Sequence, residues 1–483
     1  MSEPKKVGRR TFLNYAIAVV ATGVIVGAAT YFAVPKGEVT VTAPGATTTV
    51  TSTAPGATTT VTSTAPPPQL TITPGKPYAG TTLNIAGFAG WICYAGAKKK
   101  IPEFEEATGI KVNLHEIPFP DILTKPLIDF SAGTKTYDLT MTSSGFFLAY
   151  YPYALVLNDF VKKDLGSIDA FLNMLYPPVR ERVYVNGAVK SMPIHANIQF
   201  IEYRRDLIED PKEKEAFKNK YGYDLRQPRT YQELVDIAKF FTRGDMDGFV
   251  YWGEGAHGGL TYSSWLWSER RIPWVTNDFR IDVEYGPGRE TAIWLARWLQ
   301  DLTKVHKVTP DFPASVSASV AWEKYRAGKA AMVFGWMGDY WGLSNAEDMV
   351  KQFGPPGSWS WVVPGGWWSC WALIANKNTD NPGACWEFMK WNASLEVQAA
   401  MAAGSGQASP FIEATKNQVE KGWTAPAVAE QLPVGTFPAF IPRWIDIEDL
   451  IYEVTPKLIS FEYTPEQYID TMVQRLKEIR AKG

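Results

Sequence analysis

The chain has 483 residues, of which 46% are hydrophobic and 20% charged, and its formal net charge is -2. This length is too great for one ordinary domain, and the near-neutral charge provides no basic surface for nucleic acid. The unusual count is 19 tryptophans. Because tryptophan is rarely buried completely and its N–H usually needs a partner, we expect several of them on a binding surface.

The N-terminus predicts export of everything that follows it. Residues 1–14 are basic, and residues 15–34 carry no charge, which is long enough to span a hydrocarbon core of about 30 Å. The basic flank should stay in the cytoplasm. A retained transmembrane anchor is our first interpretation and a cleaved signal the second, since RRTFL at residues 9–13 also resembles a twin-arginine export signal.

A repeat follows the apolar segment. The sequence APGATTTVTST occurs at residues 43–53 and again at residues 54–64, within a Thr/Pro-rich stretch that we assign to residues 35–80. This composition cannot bury a core, so it predicts a disordered or semi-extended stalk. A stalk after an anchor would tether the folded part near the membrane.

The first part of the folded region alternates between strands and helices. This pattern is typical of an open α/β sheet, in which ligands bind at the carboxyl ends of strands. Trp91, Ser143 and Ser144 fall at such ends. The predicted strands are residues 83–86, 110–114 and 137–141, with helices ending at residue 108 and spanning residues 121–132.

The later part contains a buried strand followed by an aromatic loop. Residues 331–334 are apolar, and the loop GWMGDYW follows at residues 335–341. Here Trp336 is a candidate stacking residue, and Asp339 a candidate acceptor for hydroxyl groups. Helices are predicted at residues 231–241, 289–306, 318–327, 443–454 and 465–480, and a hairpin around residues 186–187.

The cysteines and histidines predict neither a metal site nor a cofactor, because none has ligand spacing. A disulfide between Cys370 and Cys385 and buried free thiols both remain open. These residues are Cys93, Cys370, Cys385, His115, His195, His257 and His306.

Four segments resemble the sugar-binding family of extracellular solute-binding proteins of ABC importers, the family that includes maltose-binding protein. They are FEEATGIKV at residues 104–112, YDL at 137–139, the stretch 192–207 and AGKAAM at 327–332. The resemblance implies a two-lobed α/β fold of the periplasmic-binding-protein type II, with hinge strands between the lobes. The uncharged residues 15–34 would place one transmembrane helix before it. The anchor and stalk resemble archaeal members in particular.

The resemblance also implies how the chain divides. The first lobe would comprise residues 81–196 and 373–409, and the second residues 198–364 and 411–482. The crossings would lie at residues 194–199, near 365–372 and near 408–415.

A sugar needs flat aromatic surfaces for its CH faces and polar groups for its hydroxyls. On this basis and by the resemblance, we expect ligand contacts from both lobes and, through Asn197, from the hinge. The candidates are Trp91, Ser143, Ser144, Asn197, Tyr262, Trp265, Trp336, Asp339, Trp367 and Trp444.

The predicted function is capture of a sugar or oligosaccharide outside the cell and its delivery to a membrane permease, without enzymatic activity. One alternative is a binding protein for another solute, such as a peptide or polyamine; few cationic residues lie in the proposed loops, which disfavours anions. A second alternative is a carbohydrate-active enzyme with Glu254 and Asp339 as acid and base.

Overall fold

The structure is a computed structural model that describes residues 39–43, 46–50, 69–119, 121–336, 338, 340–361, 366 and 368–482. The chain divides into two compact units, Met1–Pro68 and Gln69–Gly483. The described part of the first unit is a pair of antiparallel strands. The predicted anchor, and the rest of the predicted stalk up to residue 68, lie outside the described residues. Within the described ranges, no helix has the length and apolar character needed to cross a membrane.

The folded unit begins earlier than the predicted start near residue 81. Leu70 is already buried in the hydrophobic core. Thr73 donates two hydrogen bonds to the Glu387 carboxylate, from its backbone N–H at 2.7 Å and from its hydroxyl at 2.6 Å. The buried ammonium of Lys390 lies 3.1 Å from the same carboxylate. Residues 69–80 therefore pack on the folded unit. The sequence did not indicate this because their composition is similar to that of the preceding Thr/Pro-rich stretch.

The strands and helices have the following bounds. The strands are β1 (Val39–Ala43), β2 (Ala46–Val50), β3 (Thr82–Phe88), β4 (Lys111–Ile117), β5 (Leu139–Ser143), β6 (Tyr184–Val185), β7 (Ala188–Val189), β8 (Met192–Ile198), β9 (Phe200–Tyr203), β10 (Val250–Tyr251), β11 (Met332–Gly335), β12 (Gly357–Trp359) and β13 (Trp368–Ala375). The α-helices are Ala95–Thr108, Asp121–Ala132, Phe147–Tyr150, Asn158–Leu165, Ile168–Asn173, Pro177–Val183, Arg205–Ile208, Pro211–Tyr221, Tyr231–Phe241, Gly255–Ser268, Gly286–Lys304, Ala318–Arg326, Trp341–Ser344, Glu347–Phe353, Pro382–Ala393, Leu395–Ser405, Ile412–Glu420, Pro426–Gln431, Trp444–Ile459 and Pro465–Ala481. Short 3-10 helices are Ile92–Tyr94, Tyr151–Tyr153 and Pro313–Ser315.

The first large sheet has the strand order β4-β3-β5-β13-β8. β3 pairs in parallel with β4 and β5, whereas β13 runs antiparallel to β5 and β8. All of β8 is buried, as expected of a strand covered on both faces. The predicted helix end at Gly109 is present, with the left-handed φ of 72° that glycine adopts without strain.

The second large sheet has the order β10-β11-β9-β12. β10 and β11 are parallel, and β9 is antiparallel to both β11 and β12. Tryptophans fill the core beneath it: Trp265 stacks on Trp361 with ring centroids 4.7 Å apart, and Phe334 of β11 lies 4.6 Å from Trp361. Part of the tryptophan surplus therefore serves packing.

The chain passes between the sheets at defined points. Gln199 joins β8 of the first sheet to β9 of the second, within the stretch where we expected the first crossing. A second passage links β12 to β13. The two-lobed α/β fold is thus confirmed. The boundary after residue 409 stays a prediction, because helix Pro426–Gln431 contacts both β8 and β12.

All three cysteines, Cys93, Cys370 and Cys385, are buried, and none of them forms a disulfide. The disulfide between Cys370 and Cys385 that the sequence left open does not form. Burial raises the pKa of these two thiols, which keeps them protonated and unreactive at neutral pH.

Candidate functional site

The candidate site lies at the edge of the first sheet that meets the crossing at Gln199. β13 pairs Trp371 with Ser143, the last residue of β5, and with His195 of β8. These residues therefore share one edge with the carboxyl ends of β3 and β5. Ligands of open α/β sheets bind beyond such ends.

This edge carries five ring side chains that we call the aromatic row: Phe119, Phe88, Trp371, Trp91 and His195. Successive ring centroids are 5.8, 5.2, 4.9 and 5.1 Å apart. Phe119 follows β4 and His195 belongs to β8, so the row crosses the whole sheet from one edge strand to the other. Phe119 is 49% exposed and Trp371 only 7%, so the outer end is open and the inner part is covered.

Polar groups lie beside the inner part of the row. Ser143 ends β5, and the backbone N–H of Ser144 donates to the Cys370 carbonyl at 2.8 Å, which fixes the turn after the strand. Asn197 of β8 is 1% exposed, and its cross-strand partner in β13 is Ser369. Three of the predicted site residues, Ser143, Ser144 and Asn197, are thereby brought to the same edge as Trp91.

The aromatic loop of the second lobe lies against the hinge. Trp336 follows β11 and belongs to the same hydrophobic cluster as Trp371 of the first lobe, and Trp91 packs against that cluster. A Cβ added to Gly338 would lie 2.7 Å from Oδ1 of Asn197, so the loop backbone touches the hinge strand directly. Tyr340 packs edge-on against Trp252, with centroids 5.6 Å apart.

A second contact between the lobes involves Gly145, the residue after Ser144. A Cβ at Gly145 would lie 2.7 Å from Oε2 of Glu448 and 3.3 Å from Cδ1 of Trp444. The Trp444 indole N–H donates to the Glu448 carboxylate at 3.1 Å, and the Tyr452 hydroxyl donates to its other oxygen. Burial raises the pKa of the Glu448 carboxyl, and these two hydrogen bonds oppose the rise. Trp444 is therefore placed at the junction of the lobes.

Two predicted site residues are placed elsewhere. Tyr262 and Trp265 are fully buried in the core of the second lobe. The Tyr262 hydroxyl donates to the Ala292 carbonyl at 2.6 Å, and Trp265 stacks on Trp361. Spaced three residues apart, they share the inward face of helix Gly255–Ser268, and this packing removes them from the candidate site.

Asp339 and Trp367 lie outside the described residues, so their roles stay predictions. The same holds for the separation between Asp339 and Glu254 on which the enzyme alternative depended.

Sequence reasoning missed four members of the aromatic row: Phe88, Phe119, Trp371 and His195. Phe88 and Phe119 each lie at or just after the end of a strand, which is the signal that had identified Trp91. His195 lacks metal-ligand spacing, so no sequence signal marked it as a site residue. Trp371 was hidden because a tryptophan within a buried strand reads as core.

Two α/β lobes joined by chain passages at Gln199 and between β12 and β13 form a two-lobed architecture. The chain belongs to the family described as bacterial extracellular solute-binding protein, whose model matches residues 92–399. The chain is thus the solute-binding component of an ABC transporter and is not an enzyme, as predicted; the family also implies a permease partner.

Solved structures of sugar- and polyol-bound proteins share the fold. A maltose-bound MalE3 from T. maritima has 21% identity and a TM-score of 0.64, covering 83% of this chain and 100% of that one. A solute-binding protein from Thermotoga lettingae bound with α-D-tagatose has 19% identity, a TM-score of 0.65 and coverages of 83% and 100%. One from Agrobacterium vitis with D-mannitol has 16% identity, a TM-score of 0.65 and coverages of 84% and 99%.

Proposed function

We propose that this solute-binding protein captures a neutral sugar or oligosaccharide between its two lobes. The observation that carries the proposal is the aromatic row, which runs from the exposed Phe119 to His195 beside the hinge. The neutral ligands of the three similar structures, maltose, tagatose and mannitol, agree with it.

The chemistry of the row suits a carbohydrate. A sugar ring presents CH groups on its faces and hydroxyls around its rim. Aromatic rings bind the faces, and the hydroxyls exchange hydrogen bonds with Ser143, Ser144 and the Asn197 amide. Trp336 on the second lobe would contact the ligand from the opposite side.

The charge of the walls favours a neutral ligand. None of the described residues that we place on them is lysine or arginine, so an anion would be desolvated without a counter-charge. The carboxylate of Glu448 already accepts hydrogen bonds from Trp444 and Tyr452. A polyamine or peptide, the alternative ligand class, would have to compete with these donors.

The mechanism we propose is closure of the lobes on the ligand. A ligand that contacts both walls stabilises the arrangement in which Gly338 lies on Asn197 and Gly145 lies on Glu448. The permease would then recognise the closed lobes. Sugar release follows when the permease favours separated lobes.

We further propose that residues 15–34 anchor the protein to the outer face of the cell membrane, with the Thr/Pro-rich stretch as a tether, an arrangement similar to archaeal members. A cleaved signal and a secreted protein are the second interpretation. N-terminal sequencing of protein from the membrane fraction distinguishes the two, because a retained anchor leaves residues 1–34 in place.

The test of the ligand class is thermal stabilisation of the purified protein by maltose, D-mannitol and α-D-tagatose, compared with peptides and spermidine. A neutral sugar should raise Tm in a concentration-dependent manner, because it binds the folded state only. Stabilisation by a peptide or spermidine, with none by any neutral sugar, would contradict the proposal.

A further inference from the structure

Gln407 is a buried side chain close to the hinge whose amide is unpaired. It is 0% exposed, and neither its amide oxygen nor its amide nitrogen has a hydrogen-bond partner among the described residues. Buried amides in native proteins are normally hydrogen-bonded, because an unpaired one lowers the stability of the fold. The Gln407 amide therefore offers N–H donors and a carbonyl acceptor that a bound molecule can pair.

The position of Gln407 is set by the bridge between Ala196 and Ala408. These residues pair antiparallel, and the Ala196 N–H donates to the Ala408 carbonyl at 3.0 Å. The register therefore sets Gln407 opposite Asn197, on the same face. On the other side of Asn197, β13 contributes Ser369. We call Ser369, Asn197 and Gln407 the polar line.

The polar line lies at the inner end of the aromatic row. His195, the last member of the row, is two residues from Asn197 in β8, and side chains two apart in a strand share a face. The second lobe covers this place: a Cβ at Gly338 would lie 2.7 Å from Asn197 Oδ1, and a Cβ at Gly406 2.7 Å from the Gly338 carbonyl. A ligand on the row would therefore end at the polar line, under the second-lobe loop.

Another buried glutamine nearby provides the contrast. Gln418 is 1% exposed, its amide oxygen accepts from the Ser409 N–H at 3.0 Å, and its amide nitrogen donates to the Gln398 carbonyl at 2.9 Å. Its hydrogen bonds hold the segment after helix Leu395–Ser405 together. Gln418 is therefore a structural amide, whereas Gln407 has the same chemistry and burial without such bonds.

We infer that Gln407 binds the ligand and determines its specificity, with its NH2 donating to one hydroxyl oxygen of a neutral sugar and its carbonyl accepting from a neighbouring hydroxyl. The inference rests on the proposed function. A side-chain amide is both donor and acceptor and carries no charge, so it distinguishes a hydroxyl pair from a deoxy position and from a charged group.

The test uses Gln407→Leu and Gln418→Leu in the full chain, with Kd measured by calorimetry for maltose, D-mannitol and α-D-tagatose. Gln407→Leu should raise Kd roughly 5- to 30-fold, the effect of two neutral hydrogen bonds, and should leave the ligand-free Tm unchanged or higher. Gln418→Leu should lower the ligand-free Tm. A monodeoxy analogue of the tightest ligand that lacks a hydroxyl paired with Gln407 should bind the wild type and Gln407→Leu with equal Kd.

Two results would overturn the inference about Gln407 alone: wild-type affinity in Gln407→Leu while the wild-type protein binds a sugar, or a fall in its ligand-free Tm like that of Gln418→Leu. If the wild-type protein binds none of the neutral sugars, the proposed function fails and the inference fails with it. The wild-type measurement therefore separates the two failures.

Discussion

Replacing Trp91 by alanine removes a member of the inner part of the aromatic row. The ring lies 4.9 Å from Trp371 and 5.1 Å from His195 and remains partly exposed. A ligand that covers about a third of the 150–250 Å² of an aromatic side chain gains about 1–2 kcal/mol at roughly 25 cal/mol per Å². We therefore expect Kd for the best neutral sugar to rise roughly 5- to 30-fold.

Calorimetry on three variants tests this magnitude. Trp91→Phe retains a ring and should recover part of the affinity. Trp294→Ala is the matched control, because Trp294 is 43% exposed on helix Gly286–Lys304 and packs against Tyr231, and neither residue belongs to the aromatic row. Its Kd should equal that of the wild type. A Kd for Trp91→Ala within twofold of the wild-type value would contradict this expectation, since the row would then contribute no ligand contact at Trp91.

Three further variants test the outer end of the row, the junction of the lobes and a buried carboxyl group. Phe119→Ala should weaken maltotriose binding several-fold and leave tagatose unaffected, because only a long ligand reaches the open end of the row. Gly145→Val should lower the affinity for the ligand because the added side chain obstructs the approach of Glu448, although no ligand contact is removed. At saturating ligand, small-angle scattering should show a larger radius of gyration for this variant than for the wild type. For Glu202→Gln, stability should depend less on pH: burial raises the pKa of Glu202 from 4.5 to about 8, so the native state holds a proton that the unfolded chain has lost in this range. The unfolding free energy of the wild type should therefore fall by about 1.4 kcal/mol per pH unit as the pH rises from 4.5 to about 8. The glutamine variant keeps an acceptor for the Ser344 hydroxyl, which donates at 2.5 Å in the wild type, and its unfolding free energy should lack this dependence on pH.

Each of these has a contradicting outcome. Equal losses of affinity for maltotriose and tagatose in Phe119→Ala would mean that the outer end of the row does not contact longer ligands selectively. The control is Ile128→Ala, because Ile128 is another exposed apolar residue. Unchanged affinity in Gly145→Val would show that the contact with Glu448 does not limit closure. Parallel stability curves for wild type and Glu202→Gln between pH 5 and about 8 would show that Glu202 is ionised in the folded protein.

Much of the fold was predictable because local signals agreed. The periodic helices at residues 231–241 and 465–480 correspond to Tyr231–Phe241 and Pro465–Ala481. The hairpin at Asn186 and Gly187 is present, with φ values of 51° and 81° that favour this pair. The start of the folded unit was missed because Thr73 depends on contacts with Glu387, more than three hundred positions away.

The candidate site was less predictable, for a physical reason. A tryptophan at a strand end is identifiable from the sequence, as Trp91 was, but the face of a helix that turns inward depends on its packing. The structure therefore places Trp265 and Tyr262 in the core of the second lobe. Trp371, whose position in a strand indicates a core residue, lies in the aromatic row. Gln407 carries no sequence signal at all, because its position depends on the pairing of Ala408 with a distant strand.

The function proposed above is the binding of a neutral sugar between the lobes by the aromatic row and the hinge. Its most direct test is calorimetric titration of the wild-type protein and of the Trp91→Ala/Trp371→Ala double variant with maltose, maltotriose, tagatose and mannitol. We expect saturable binding of at least one of these sugars by the wild type and its loss in a double variant that remains folded. Undiminished binding by that variant, or wild-type binding of a peptide or polyamine and of no neutral sugar, would contradict it.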